Sequence, residues 1–592
     1  MHILLKYKKY FFVIIILGFV VYFPIFFNGF VWDDYPGVLE NIQVHQINIP
    51  LLFGPSFINS GSFYRPLTAV YFSLVYAISG NHAFLYHLIQ LVLHIIITIL
   101  LFIFFVSFFS DGIAFFLSLI FLIHPIDVES VAYIGSTLSQ LFFLPGLLAL
   151  LLATRKELGR RTLLWIFVLL ITATFTKETG FLFLLLILLY RYLFNLGNLK
   201  KILIFGICIF ALYMVLRFYL GGAVLHQVPY IPIDALSLPQ RILNIPAIIA
   251  YYINTVVFPL TLTIWQTWVV TKLTFHSFIF PLIICVLFLI GVISVFYILL
   301  KEQKSYLQKT QKKLHKTGLQ EIKRISVQAY LFFIFWFVIG MGVIMQIVPL
   351  EMTVADRWFY FQFAGLLGII GIVLQLYYPK LKKHQKIYIV AAICIITVLS
   401  IRSFIRTFDW KNQLIIYTDA KHANDNYILD NVYSIELFKA GKVNEAIMFD
   451  EKSIATFADI TNVGTLGDFY RESNQCDMAI PIYQKALSYP REPLTKVTSG
   501  LLNHDTIQLY AVFSNLSKCY IQSGQAQEAI NLLNSQSLKD FPGDANLRVI
   551  LAIAYFSEGN HQMAVQTITK AYSLDKSASI KSVYNNIINN GK

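Results

Sequence analysis

YFFVIIILGFVVYFPIFFNGFVWDDY, residues 10–35, decides the class of this chain. About twenty apolar residues lie between Tyr10 and Phe30, enough helix to cross the ~30 Å hydrocarbon core of a bilayer. Two adjacent carboxylates, Asp33 and Asp34, follow at once. An ionised group at the centre of a membrane helix costs roughly 2.5–3.5 kcal/mol. The pair is therefore either a solvated helix end or a general base facing a lipid-borne substrate. The rest of the chain has to decide between them.

Composition extends the reading. Of 592 residues, 57% are hydrophobic and 13% charged, where a soluble domain carries about 25% charge. The net charge is +14, but its placement argues against nucleic acid. Short loops between apolar runs hold the excess: the stretch 301–326 has eight Lys/Arg against two acids. That distribution follows the positive-inside rule. The N-terminal run has no small-residue cleavage site and reads as an uncleaved first span. Cys208, Cys285 and Cys394 fall in apolar runs, while Cys476 and Cys519 fall in a polar tail and leave a bridge between them open.

Apolar runs occur at about 10–30, 83–109, 111–124, 137–154, 162–176, 179–194, 202–220, 275–300, 328–350, 358–378 and 387–405. Eleven spans starting from the cytoplasm put the basic loops 155–161, 191–201, 301–326 and 380–386 inside. Residues 31–82 and 221–274 then form external loops with interfacial or re-entrant helices, Pro66–Ser79 being too short for a span. The same assignment puts Asp33, Asp34, Glu40, Asp127, Glu129, Glu178, Asp234, Glu351 and Asp356 on one external face. Acids contribute little to orientation, so this clustering points to a site.

From Asp409 onward the long apolar runs vanish and a repeat appears. Gly441, Asn474, Gly524 and Gly559 each stand five residues before an alanine: Ala446, Ala479, Ala529 and Ala564. A turn residue, then a small residue where two helices meet, at a period near 34, is the pattern of tetratricopeptide repeats. The wider middle spacing matches an insertion near 489–505, and 579–590 reads as a capping helix. The expected architecture is all-α: a polytopic membrane domain over 1–408 and an extracytoplasmic repeat solenoid over 409–592.

Five polar clusters come from five segments. Asp33 and Asp34 supply carboxylates for general base work. Tyr64-Arg65-Pro66-Leu67 presents a guanidinium suited to phosphate, or an interfacial anchor. His124-Pro125-Ile126-Asp127-Val128-Glu129 offers a helix cap, or a weak metal pair in His124 and Glu129. Lys177 and Glu178 either neutralise each other or face a ligand. Asp356 complements a helix N-terminus, with Arg357 beside it. Together they are the inventory for group transfer from a phosphate-linked lipid: a base, cations for the departing phosphate and apolar walls.

These motifs (W-D-D-x6-N from Trp32 to Asn41, Y-R-P-L, H-P-x3-E-S-V-A-Y, T-K-E-x-G, A-D-R-W-x-Y) precede the repeats. In that order they resemble the transmembrane-and-tetratricopeptide-repeat (TMTC-like) family, GT-C-fold glycosyltransferases related to protein O-mannosyltransferases. The resemblance implies a polyprenyl-phosphate sugar donor, a protein Ser/Thr or glycan hydroxyl acceptor, and inverting transfer with Asp33 as base and Asp34 beside it. It also implies a donor phosphate and sugar site from Tyr64, Arg65, Lys177, Glu178, Asp356 and Arg357, with His124 and Glu129 toward the acceptor or a divalent cation. The chain departs from the family where Thr137 and Ser139 replace an Arg and an Asp. A non-catalytic scaffold, recruiting proteins through its repeats, is the alternative. A transporter is disfavoured because charge gathers at one face and not at the midplane. The Ile/Phe/Lys-rich composition and short loops suggest a bacterial plasma membrane, with the ER membrane as the alternative.

Overall fold

The computed structural model describes residues 2–54, 63–220, 232–260, 262, 264, 266–313, 327–378, 383–423, 426–489 and 504–590. Pro229, the basic stretch 314–326, Lys380, Lys382 and the insertion 490–503 lie outside the described residues. Among those described the chain is all-helical, with one isolated bridge between Gln266 and Val354. It divides into two compact units, Met1–Asp419 and Ala420–Lys592. The composition changes at Asp409, ten residues before that division.

All eleven apolar runs of the first unit are helical, but not all are spans. Eight helices are long and apolar enough to cross a membrane, or nine if the bent pair Asp111–Ile123 and Pro125–Ala132, turned by 46°, counts as one. This is a multi-pass membrane protein, yet eleven spans is more than the helix lengths support. The reason lies at Thr176-Lys177-Glu178-Thr179-Gly180, which splits one apolar stretch. Helix Arg160–Thr176 has 17 residues and Leu182–Leu193 has 12, so at 1.5 Å per residue they reach only about 26 and 18 Å.

Between the helices lie short non-spanning pieces that line one end of the unit. Helix Pro66–Ser79 has 14 residues and starts at Pro66, which fits N1 because no N–H is needed there. The loop 35–54 is packed onto it through Val38, Val44, Leu52, Phe72 and Val75. Helix Leu238–Val257 is amphipathic, starts at a Ser237–Gln240 capping box and contains Pro246.

The second unit stacks four helical pairs: Tyr427–Lys439 with Val443–Thr456, Ile460–Glu472 with Cys476–Leu487, His504–Gln522 with Ala526–Leu532, and Ala545–Ser557 with His561–Leu574. Helix Ala578–Asn590 closes the stack. Each pair turns at the residue marked by the repeat. Gly441, Asn474, Gly524 and Gly559 have φ of 79°, 59°, 73° and 76°, a left-handed region favouring Gly and, next, Asn. Five residues on, the four alanines have no exposed surface, because a larger side chain would hold the paired helices apart. Cys476 and Cys519 are joined by a disulfide.

Enlarging one of these alanines tests the packing. Ala529→Leu is expected to destabilise the repeat unit by about 1–3 kcal/mol through overpacking, read as faster limited proteolysis between residues 504 and 590 in the detergent-solubilised chain. Cys476→Ser is expected to remove roughly 2–4 kcal/mol, and reductant should bring the parent to the same melting temperature.

Candidate active site

At one end of the membrane unit the helix ends and short pieces enclose a cavity of about 630 Å³. The turn after the first helix brings Asp33 to its lining. Trp32 has a φ of 52°, unusual for a bulky side chain. Its ring stacks on Tyr133 at 5.8 Å, and Tyr133 stacks on Trp410 at 5.3 Å. This kink sends the two neighbouring carboxylates in different directions.

Asp34 points inward and is fully buried. Its Oδ2 accepts from the Val31 amide at 2.9 Å and its Oδ1 from the Gly135 amide at 2.6 Å. It does not line the cavity; it ties two segments 101 residues apart. Pairing it with Asp33 as a second reactive carboxylate is therefore corrected. Asp33 does line the cavity. Burial pushes its carboxyl up and neighbouring Glu351 adds to this, while Arg357 and Tyr133 oppose. A carboxylate with raised pKa is the stronger base.

Four cations line the cavity; Arg217, outside the expected set, donates to the Tyr213 hydroxyl at 3.3 Å, and the three expected ones fall into two kinds. Arg357 is fixed on three sides. Its Nη1 donates to Glu129 Oε1 at 2.6 Å, its backbone N–H to Glu129 Oε2 at 3.0 Å and its Nη2 to Glu351 Oε1 at 2.9 Å. Its guanidinium lies 5.3 Å from the Trp32 ring centre. Arg65 makes a two-pronged pair with Glu178, Nε to Oε2 at 3.0 Å and Nη2 to Oε1 at 2.5 Å. Burial pushes the Glu178 carboxyl up, but Arg65 more than offsets it and holds it down at about 2. Both guanidinium groups already have carboxylates.

Lys177 differs. Among the described residues it makes no ion pair; its Nζ lies 5.6 Å from the Phe142 ring centre. Burial pulls its ammonium down to about 8, helped by neighbouring Arg65. The local chain explains its position. Gly180 closes a tight turn onto helix Arg160–Thr176, and a Cβ there would sit within 2.3 Å of the Ala173 carbonyl. The Thr68 hydroxyl donates to Thr176 O at 2.8 Å, docking the Tyr64–Arg65 segment beside Lys177. Tyr64 is held by its own hydroxyl on Phe53 O.

Six of the expected residues thus line the cavity: Asp33, Tyr64, Arg65, Lys177, Glu178 and Arg357. Four do not. His124 accepts from Ile126 N–H at Nδ1 and donates to Val256 O from Nε2, so both ring nitrogens serve the backbone. Glu129 serves Arg357. Asp356 accepts from the Tyr251 hydroxyl at 2.8 Å. No group of three His, Cys, Asp or Glu among the described residues could hold a metal, and the His124–Glu129 metal reading falls because each has another partner. Three residues outside the expected set also belong here. Glu351 and Tyr133 line the wall, and Tyr252 braces the Ala355 carbonyl. Glu351 was detectable as one of the acids on the shared face, and Tyr133 as the last letter of H-P-x3-E-S-V-A-Y. Tyr252 had no sequence signal. Val343, Ile344, Ile347 and Val348 add apolar side chains to the lining.

Residues 545–577 match the tetratricopeptide repeat model. The human protein O-mannosyl-transferase TMTC3 is 30% identical over 176 residues, covering 27% of this chain and 19% of that protein. The protein O-mannosyl-transferase F38B6.6 of Caenorhabditis elegans is 30% identical over 186 residues, covering 28% and 26%. Over these stretches the chain is similar to protein O-mannosyl-transferases, and its second unit carries a tetratricopeptide repeat. The matches span only about a fifth to a quarter of the length of these relatives. Among solved structures, MamA MSR-1 C2 is 22% identical with a TM-score of 0.22, covering 27% of this chain and 87% of that one. The Cut9–Hcn1 hetero-tetramer is 14% identical with a TM-score of 0.25, covering 81% and 77%.

The two positions that depart from the family pattern separate in the fold. Thr137 is buried and donates to Ile134 O at 2.6 Å, whereas Ser139 lines the cavity.

Glu129→Gln is expected to destabilise the membrane unit by roughly 3 kcal/mol, because it leaves the buried Arg357 short of counter-charge. Glu351 is 31% exposed, so Glu351→Gln should cost under about 1 kcal/mol. Melting curves in detergent compare the two; equal shifts would refute the ranking.

Proposed function

We propose that this cavity transfers a sugar from a polyprenyl phosphate to a hydroxyl acceptor, with a protein Ser/Thr as the favoured acceptor. The observation that carries the reading is the presence, in one 630 Å³ cavity, of a carboxylate at its lining, Asp33, and a cation that makes no direct ion pair among the described residues, Lys177. The names of the relatives, protein O-mannosyl-transferases, support it and suggest mannose.

Asp33 takes the acceptor O–H proton, and the acceptor oxygen bonds to the anomeric carbon from the face opposite the phosphate. The anomeric C–O bond breaks, and the phosphate leaves with the electron pair. Negative charge grows on that phosphate, where a nearby cation gives most stabilisation. Arg65, already paired with Glu178, is the poorer candidate for this role; Lys177 is the better one. The charge of Arg357 limits how far the Asp33 pKa rises. The apolar lining at Val343–Val348 suits the prenyl chain. Disulfides persist in oxidising compartments, so the Cys476–Cys519 bridge supports a repeat unit outside the cytoplasm, placed to hold a protein acceptor or partner.

Asp33→Asn is expected to lower kcat by about 10²–10⁴ with little change in KM. Membranes incubated with candidate lipid-phosphate sugars, followed by mass spectrometry of the product, read this out. Normal turnover in Asp33→Asn would remove Asp33 from the role of base; no transfer by the parent chain with any candidate donor would favour the scaffold alternative.

A second test uses pH. Lys177 loses its proton as pH rises through about 8, so donor affinity should fall on the alkaline side. Lys177→Arg keeps its charge across that range and should abolish the alkaline rise in donor KM. A rise unchanged in Lys177→Arg would assign it to another group.

A further inference from the structure

We infer that the end of the membrane unit away from the cavity carries a binding site for a phosphate group, presented by an anionic lipid headgroup. Helix Arg160–Thr176 separates the two ends: Thr176 abuts the cavity lysine, and Arg160 lies at the other end of this 17-residue helix, about 24 Å away at 1.5 Å per residue.

Arg191 is the core of this second site. It is fully buried near the end of helix Leu182–Leu193. Its Nε donates to Gly197 O at 2.6 Å, and its Nη1 donates to Ala153 O at 2.8 Å and Arg155 O at 3.0 Å. These carbonyls come from the end of helix Thr137–Ala153, the loop 154–159 that follows it and the loop 194–198, so one guanidinium ties the two loops together. Among the described residues no carboxylate pairs with it, and its Nη2 has no hydrogen-bond partner. Nε and Nη2 share one edge of the planar guanidinium, and Nε is on Gly197. The unpartnered donor therefore faces the 194–198 loop from beneath. A buried cation without counter-charge is expensive, and an anion on the outer side of that loop would offset it.

The surroundings supply donors and no acceptor of charge. Helix Leu199–Tyr219 starts at Asn198 with no side-chain cap and no acid in its first turn, which instead holds Lys200 and Lys201. Helix Arg160–Thr176 starts likewise at Gly159, with Arg160 and Arg161 in its first turn. Cations there oppose the helix dipole, and the uncapped N–H groups add to the positive potential. Glu157 is the only acid in the two loops, and it forms no ion pair among the described residues. Beyond Lys201, Leu203 and Ile204 are exposed, as lipid-facing residues are. The lysines thus lie at headgroup depth, where basic pockets between helices take lipid phosphates. The positive-inside rule accounts for surface lysines, but not for a buried guanidinium without a carboxylate.

Native mass spectrometry of the full chain in detergent tests this, with added phosphatidylglycerol or phosphatidylcholine as probes. Phosphatidylglycerol should be retained where phosphatidylcholine is stripped. Lys200→Gln/Lys201→Gln should weaken its retention roughly 30-fold, at about fivefold per basic residue, while Lys383→Gln/Lys386→Gln should leave it unchanged. Arg191→Met should lose the lipid as well. Because that change also cuts the ties between the loops, the exposed lysine pair is the deciding variant. Equal losses in both lysine pairs, or no preference between the two lipids, would overturn the site. Displacement of phosphatidylglycerol by millimolar inorganic phosphate would keep an anion site but overturn the lipid as its source.

Discussion

Buried charge has to be matched, and in this membrane unit the segment Glu129–Gly135 is where the matching occurs. Glu129 takes both the side chain and the backbone N–H of Arg357. Gly135 gives its N–H to Asp34, and Tyr133 stacks on Trp32. Gln90 Nε2 spans the Ser130 and Tyr133 carbonyls at 2.8 and 2.7 Å, and Gln140 adds a third amide contact at 3.0 Å. In hydrocarbon an unpaired ion or an open backbone carbonyl costs several kcal/mol. Segments separated by 101 and 228 residues are therefore drawn to one short stretch. The cavity is the space left between them.

That arrangement also separates structural charge from charge free to act. Arg357, Arg65, Glu129, Glu178 and Asp34 spend their hydrogen bonds on one another or on the backbone, which makes the cavity wall rigid. Asp33 and Lys177 are left facing the space, one a carboxylate made more basic by burial and the other an ammonium made more acidic. Both shifts narrow the gap between the charged and neutral forms of these groups, as proton transfer and reversible anion binding require. The far end of the same helices follows the opposite logic: Arg191 is buried on carbonyls alone.

Much of this was legible in the primary structure. The repeats could be read because each needs one left-handed turn and one small residue at a set distance, and both demands are local. The convergence of Asp33, Arg65, Lys177 and Arg357 followed from charges being admitted only at span ends. The span count was less legible: hydropathy marks where a helix is apolar, not where a turn such as Lys177–Gly180 cuts it short. His124 and Glu129 looked like a ligand pair because the residues that occupy them, Val256 and Arg357, are distant in the chain. Tyr252 could not be found, since nothing in an amphipathic helix says which tyrosine will meet the Ala355 carbonyl.

What the chain determined by itself was therefore the all-helical class, the membrane setting, the repeat unit and the pool of candidate charges, because hydropathy, turn chemistry and small-residue spacing act over a few residues. What only the folded molecule decided was the division of labour between neighbours. Asp33 and Asp34 are adjacent and identical in type; Lys177 and Glu178 are adjacent and opposite in charge. A positive φ at Trp32 and a glycine-closed turn at Gly180 send each member of a pair to a different partner, and those partners come from segments that only tertiary packing brings within hydrogen-bonding distance.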